Sequence, residues 1–176
     1  MKKILIINGN PKEELQNFDS YCKALADALD SMGNDIRLFR LRDKKIGDCI
    51  GCYACWLKTP GICALKDDQE EILKTYLWAD FILLASPVMM GFVSAALKTM
   101  NDRLLPLVHP FLKLEKDRMG HYQRYDRDFL TGLLLDNKDH LDGDDLEIIR
   151  KVYSRSAFLK TMNQSIEEVA YEIDNL

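Results

Sequence analysis

Three short runs, Ile4–Ile7, Phe81–Ala85 and Leu130–Leu135 around Gly132, are apolar almost throughout. Strands apolar on both faces belong in parallel sheets covered by helices on each side. A fourth segment, Asp35–Leu41, sets Ile36, Leu38 and Leu41 against Arg37 and Arg40, as an edge strand does. Between these runs the apolar positions recur at three and four. Tyr21, Cys22, Leu25, Ala28, Leu29 and Met32 predict one helix, with Gly33 placed to stop it. Ile72, Leu73, Tyr76 and Leu77 predict a second, with Asp67 and Asp68 placed to cap it. Val93, Ala96, Leu97, Met100 and Leu104 predict a third after Gly91. Two more follow, through Leu146, Ile149 and Val152 and through Ile166, Val169, Ala170 and Ile173.

Strand and helix alternate, so the expected fold class is α/β: a doubly wound parallel sheet with right-handed crossovers. The one candidate for a fifth strand is Ala157–Met162. Residues Leu105 to Asp128, with Pro106 and Pro110, read as a long excursion between the third and fourth core strands, of the kind that forms lids or oligomer contacts. No linker or repeat divides the chain, and its 176 residues suit a single domain over 1–176, since domains run ~100–200 residues.

Charge narrows the partners. The net charge is −4, with 24 basic and 28 acidic residues, so the basic excess of a nucleic-acid binder is missing and no nucleic acid is expected. No apolar run approaches the ~18–20 residues of a membrane span, and Ile4–Ile7 is shorter than a signal-peptide core of ~7–15 residues. The expected location is cytoplasmic, away from membranes. The five cysteines are then read as thiols or ligands rather than disulfides.

Ligands of open α/β sheets sit beyond the carboxyl ends of the strands. Three segments qualify. Asn8-Gly9-Asn10-Pro11-Lys12, running to Asn17 at a helix start, either presents backbone N–H groups to a phosphate or is an ordinary strand-to-helix turn. Ser86-Pro87-Val88-Met89-Met90-Gly91 has the shape of a loop lying along a flat ring, or its methionines are core filler. Cys49, Cys52 and Cys55, with Cys63 further on, begin with the C-x2-C-x2-C spacing of bacterial [4Fe–4S] ligand sets. Four cysteines also suit zinc, and a metal-free loop is the third alternative. Elsewhere little chemistry emerges. The acidic run from Asp136 to Glu147 fails as an EF-hand, because Lys138 and His140 fall at its first and third ligand positions. His109, His121 and His140 accompany no nucleophile signature.

Together, Ile46–Asp68, Ala79–Pro87 and Gly91–Arg103 resemble the flavodoxin-like NADPH-dependent FMN reductases, in particular the iron–sulfur flavoprotein branch; the resemblance covers about residues 1–104. It implies a sheet in the order 2-1-3-4-5, FMN at the strand ends, NAD(P)H as co-substrate, and a homodimer or homotetramer. The implied partner is a small-molecule redox substrate or an electron-transfer protein. Asn10, Pro11, Lys12 and Asn17 would match the phosphate loop, and Pro87, Val88, Met89 and Gly91 the loop along the ribityl chain and ring, with backbone N–H groups of 87–91 facing the flavin. Cys49, Cys52, Cys55 and Cys63 would match the [4Fe–4S] ligands. Three departures stand out: Phe18 replaces a hydroxyl and Asp19 adds negative charge in the phosphate loop, Met89 replaces an aromatic, and Asp136-Asn137-Lys138-Asp139 replaces a glycine-rich loop. The expected function is FMN-dependent NAD(P)H oxidoreductase. The alternatives are an iron–sulfur electron carrier and a binding module with a degenerate flavin site.

Overall fold

Strand β1 (Lys3–Asn8) leads into helix α1 (Gln16–Ser31) and strand β2 (Asp35–Arg40). The structure, a computed structural model, describes residues 1–115, 118–136 and 143–176. A long segment with one short helix, α2 (Ala54–Leu57), then reaches α3 (Gln69–Trp78) and β3 (Phe81–Ser86). A two-strand hairpin, β4 (Val88–Met89) and β5 (Phe92–Val93), precedes α4 (Ala95–Asp102). The expected excursion is itself structured, as an antiparallel hairpin of β6 (Val108–Glu115) and β7 (Arg118–Gln123). The chain finishes with β8 (Leu130–Leu135), α5 (Gly143–Val152), β9 (Leu159–Thr161) and α6 (Ile166–Asn175).

The main sheet runs β2-β1-β3-β8-β9, all parallel, which is the order 2-1-3-4-5 counted over the core strands. The fifth strand lies within Ala157–Met162, as read from the sequence. Strand periodicity explains the layers, because successive side chains point to opposite faces. Leu5 and Ile7 of β1 face a core built with Ile72, Leu97 and Ile149 of α3, α4 and α5. Ile4 and Ile6 face the other core, against Cys22 and Leu25 of α1 and Val169 of α6. Cys22 is thus a buried apolar residue, and burial pushes its thiol pKa up. At Gly132 a Cβ would lie 2.7 Å from the Phe158 ring and 2.8 Å from that of Phe81, so only glycine fits there.

Two details differ from expectation. Asp68 makes no side-chain cap on α3, because its carboxylate accepts the Lys45 N–H at 2.6 Å. Helix α4 starts later than the apolar spacing suggests, since Val93 pairs with Val88 in the small hairpin and Ser94 caps the helix by accepting the Leu97 N–H.

Register sets where the loops emerge. Asn8 pairs with Arg40 and Ala85, and Ser86 pairs with Leu135, so the segments leaving β1, β2, β3 and β8 all depart from one edge.

Candidate cofactor site

The first loop is held by its own polar side chains. The Asn8 carboxamide accepts the Asn10 N–H at 2.9 Å and donates to Asp19 at 2.7 Å. Asn10, expected to face a phosphate, is instead fully buried. It donates to Asp19 and to the Leu15 carbonyl, and accepts the Lys12 N–H at 2.9 Å. Asx side chains commonly close turns in this way, so the role of Asn10 here is to shape the loop. Pro11, Lys12 and Asn17 remain exposed.

Helix α1 begins with Leu15 as its N-cap and no side-chain cap. The first N–H groups of a helix have no intrahelical partner and carry the positive end of its dipole. They open onto a cavity of about 500 Å3 lined by Glu14–Phe18, Asp136, Met162 and Asn163. Phe18 is buried in the core under α1 and forms part of the cavity wall. Asp19 adds no free charge, because its carboxylate pairs with Arg42 at 2.6 Å. Burial alone would raise the Asp19 pKa, but the hydrogen bonds from Arg42, Asn10 and Asn8 outweigh it and hold the carboxyl below its usual range.

The second loop is a tight hairpin. Met89 pairs with Phe92, and the two turn residues, Met90 and Gly91, both have positive φ, at 52° and 75°. Those signs define a type I′ turn. The Met90 side chain is fully exposed, which corrects its reading as core filler. A Cβ on Gly91 would come within 2.6 Å of the Asp145 carboxylate, which packs over the turn. Not every backbone donor of the loop faces outward, since the Val88 N–H donates to Asp136 at 2.9 Å. The two loops are stapled by serines that sequence reasoning missed. Ser86 accepts the Ser94 N–H at 2.8 Å, and the Ser94 hydroxyl donates to the Gly9 carbonyl at 2.6 Å. Most of the segment Asp136-Asn137-Lys138-Asp139 lies outside the described residues.

The cysteine segment follows β2. Tyr53, with φ of 53°, turns the chain into α2 and stacks on Trp56, whose indole donates to the Leu105 carbonyl at 3.0 Å. Cys49 and Cys52 are exposed, Cys55 is buried and Cys63 half-buried; none is in a disulfide. Burial raises the Cys55 pKa, and the neighbouring Cys63 and Cys52 raise it further. The four thiols therefore share one small region. A zinc ion at about 2.3 Å from each sulfur would need sulfurs roughly 3.8 Å apart. Among the described residues, no three His, Cys, Asp or Glu side chains gather for a metal ion. The donors are of the kind and number an iron–sulfur cluster takes, but they do not converge on one point. Arg103, another residue whose role the sequence did not disclose, reaches into this region from the end of α4. It donates to Cys63 Sγ at 3.3 Å and to the Gly47 carbonyl at 3.0 Å, and pairs with Asp67.

The sequence profile of the NADPH-dependent FMN reductases matches residues 2–115, well over half the chain. The chain belongs to this family. Among curated relatives, an iron–sulfur flavoprotein of Methanocaldococcus jannaschii is 40% identical over 105 residues, covering 60% of this chain and 53% of that one. An iron–sulfur flavoprotein of Methanosarcina thermophila is 31% identical over 101 residues, covering 57% and 51%. The chain thus spans about half the length of the curated relatives it matches. Among solved structures, the NAD(P)H:quinone oxidoreductase of Methanothermobacter marburgensis superposes with a TM-score of 0.66 at 15% identity, over 98% of this chain and 94% of that one. An FMN-dependent NADH-azoreductase of Bacillus anthracis, solved in complex with FMN, gives 0.60 at 15% identity over 98% and 95%. These likenesses establish the flavodoxin-like fold of this FMN reductase family member.

The residues present fit the phosphate end of FMN. The start of α1 has no side-chain cap and borders a cavity of ligand size, Lys12 is exposed three residues before its N-cap, and the Asp19 carboxylate in its first turn is paired with Arg42.

Proposed function

We propose that the chain is an FMN-dependent NAD(P)H oxidoreductase that passes electrons from a nicotinamide to a small acceptor such as a quinone or a flavin. The observation that carries this reading is the uncapped N-terminus of α1 beside the 500 Å3 cavity, whose lining residue Asp136 also accepts the Val88 N–H of the second loop. When bound, FMN supplies the hydride- and electron-accepting chemistry. The protein binds and orients it. The first-turn N–H groups of α1, with Lys12 and Asn17 at the rim, hold the phosphate, and Pro11 and the buried Asn10 keep that loop in shape. Pro87, Val88, Met89 and Gly91 line the path of the ribityl chain and ring. Titrating the apo-protein with FMN while following flavin fluorescence tests this. Saturable quenching at micromolar protein is expected; its absence would end the reading.

A second reading, an electron carrier with a [4Fe–4S] cluster on Cys49, Cys52, Cys55 and Cys63, is favoured by the cationic hydrogen bond to Cys63 and by the names of the curated relatives. Anaerobic purification should then yield about four iron atoms per chain, as the cubane requires. Its electron partner would be a redox protein. The free thiols support a cytoplasmic location, and no helix among the described residues is long and apolar enough to cross a membrane. Exposed Phe111, Leu112, Leu114 and Met119 on the β6–β7 hairpin support a homodimer or homotetramer.

A further inference from the structure

Beneath the β6–β7 hairpin the structure holds a second cavity, of about 280 Å3, apart from the loops described above. Thr131, in its wall, stands at the start of β8, whereas the loops depart from the other ends of the strands. Val108 and Gln123, paired across the base of the hairpin, form one side, and Leu84, Leu104, Phe129 and Val152 supply apolar walls. Three polar side chains of the lining break that apolar character. Tyr76 is 2% exposed, and its hydroxyl is buried with no hydrogen-bond partner among the described residues. Asn101 Oδ1 and Gln123 Oε1 are likewise buried and unpartnered there, although the Asn101 amide donates to Tyr153 Oη at 2.7 Å. Buried polar atoms are nearly always hydrogen-bonded, and leaving one unpaired is costly. Three around a single cavity call for a partner from outside the fold.

Burial, reinforced by the neighbouring Tyr153, pushes the Tyr76 pKa up, so this phenol stays protonated and keeps an O–H to donate. The cavity therefore offers one hydroxyl, which donates or accepts, and two amide acceptors. A ligand carbonyl only accepts and would leave both amide oxygens unpaired. An ammonium only donates and would bring an uncompensated charge among apolar walls. A hydroxyl does both. The rings of Tyr76 and Phe129, edge to face with centroids 6.1 Å apart, favour an aromatic body beside them. The volume exceeds the ~150 Å3 of an apolar cavity that takes up benzene.

We propose that this cavity binds a small hydroxylated aromatic of the phenol or naphthol class, at a site separate from the flavin loops. The ligand hydroxyl accepts from Tyr76 and donates to the amide oxygen of Asn101 or Gln123, while its rings pack against the apolar walls. The site does not depend on the flavin reading.

Isothermal titration calorimetry of the full chain with 2-naphthol, 2-methoxynaphthalene and naphthalene, each with and without saturating FMN, is the test. One 2-naphthol should bind per chain whether or not FMN is added, and roughly 2–10-fold more tightly than the two molecules that lack an O–H, as one hydrogen bond provides. Tyr76→Phe should erase most of that preference and leave naphthalene affinity alone. Its ligand-free melting temperature should not fall, because the hydroxyl it loses is unpaired. Val152→Trp, which sets an indole at an exposed position beside the cavity, should weaken all three ligands. A cavity that merely holds water would show no preference for naphthol. Absence of binding at millimolar ligand, equal affinity for naphthol and naphthalene, displacement by FMN, or indifference to both substitutions would each overturn the proposal. Should Tyr76→Phe fail to fold, the three ligands on wild type and Val152→Trp decide by the same criteria.

Discussion

Asp19 is the hub of the phosphate loop, and Asp19→Asn removes its charge with almost no change of shape. Three donors meet at this carboxylate: Arg42 at 2.6 Å, Asn8 at 2.7 Å and Asn10 at 3.0 Å. An asparagine leaves the Arg42 guanidinium, only 15% exposed, with the longer 3.9 Å pairing to Asp43 as its remaining ion pair. Breaking a fully buried pair in this way costs ~3–5 kcal/mol. Residual exposure on both partners, 15% and 18%, argues for the lower end after screening, about 2–3 kcal/mol at neutral pH. For a chain of this size that corresponds to a fall in melting temperature of roughly 4–12 °C. The pH dependence is a second readout. The Asp19 pKa is lower in the folded than in the unfolded chain, so its stabilisation is complete above the unfolded value near ~4 and is lost as pH falls through the folded one. The gap between wild type and Asp19→Asn should therefore narrow steadily below about pH 4. Thermal melts from pH 7 to pH 3 measure both effects. A difference of less than a degree at pH 7, or a gap that widens on acidification, would refute the account of Asp19 as a compensated, loop-organising charge.

Gly132→Ala should destabilise the sheet by ~1–3 kcal/mol in chemical denaturation, because the new methyl group meets the Phe158 and Phe81 rings; unchanged stability would mean that those rings are free to move. Lys12→Glu should weaken FMN binding about tenfold, ~1.4 kcal/mol, in the fluorescence titration and leave the melting temperature of the apo-protein alone, since Lys12 is exposed and its hydrogen bonds to Asn10 and Leu15 are made by its backbone, which the substitution keeps. Cys52→Ser alters an exposed side chain, so iron-free protein should melt within a degree of wild type. Iron-loaded protein should lose metal and melt several degrees lower, because metal binding energy is also folding energy; an equal drop in both forms would point to a packing role for the thiol.

Legibility in this sequence followed the range of the interaction. The core strands announced themselves because a strand buried on both faces has nowhere to place a polar residue; Ile4–Ile7 serves two cores at once through alternation alone. The common edge of the candidate loops was legible for a related reason, since parallel strands send their loops out at one edge. What the loops do was less legible. An asparagine in a turn binds a ligand or binds its own backbone, and composition does not distinguish the two; Asn10 took the second course because Asp19, Leu15 and Lys12 offered partners within nine residues. Serines 86 and 94 belonged to recognisable motifs, yet their role as staples depends on a contact to Gly9 made across 85 residues. Arg103 marks the extreme. In the pattern of α4 it reads as one more polar residue at a helix end, and it becomes a buried cation only because Asp67, 36 residues earlier, and Cys63, 40 residues earlier, reach the same point. No periodicity encodes such a convergence. A long-range ionic network shows in a sequence only as charges without local partners, and the cysteine segment, acidic at its end and devoid of histidine, carried that trace.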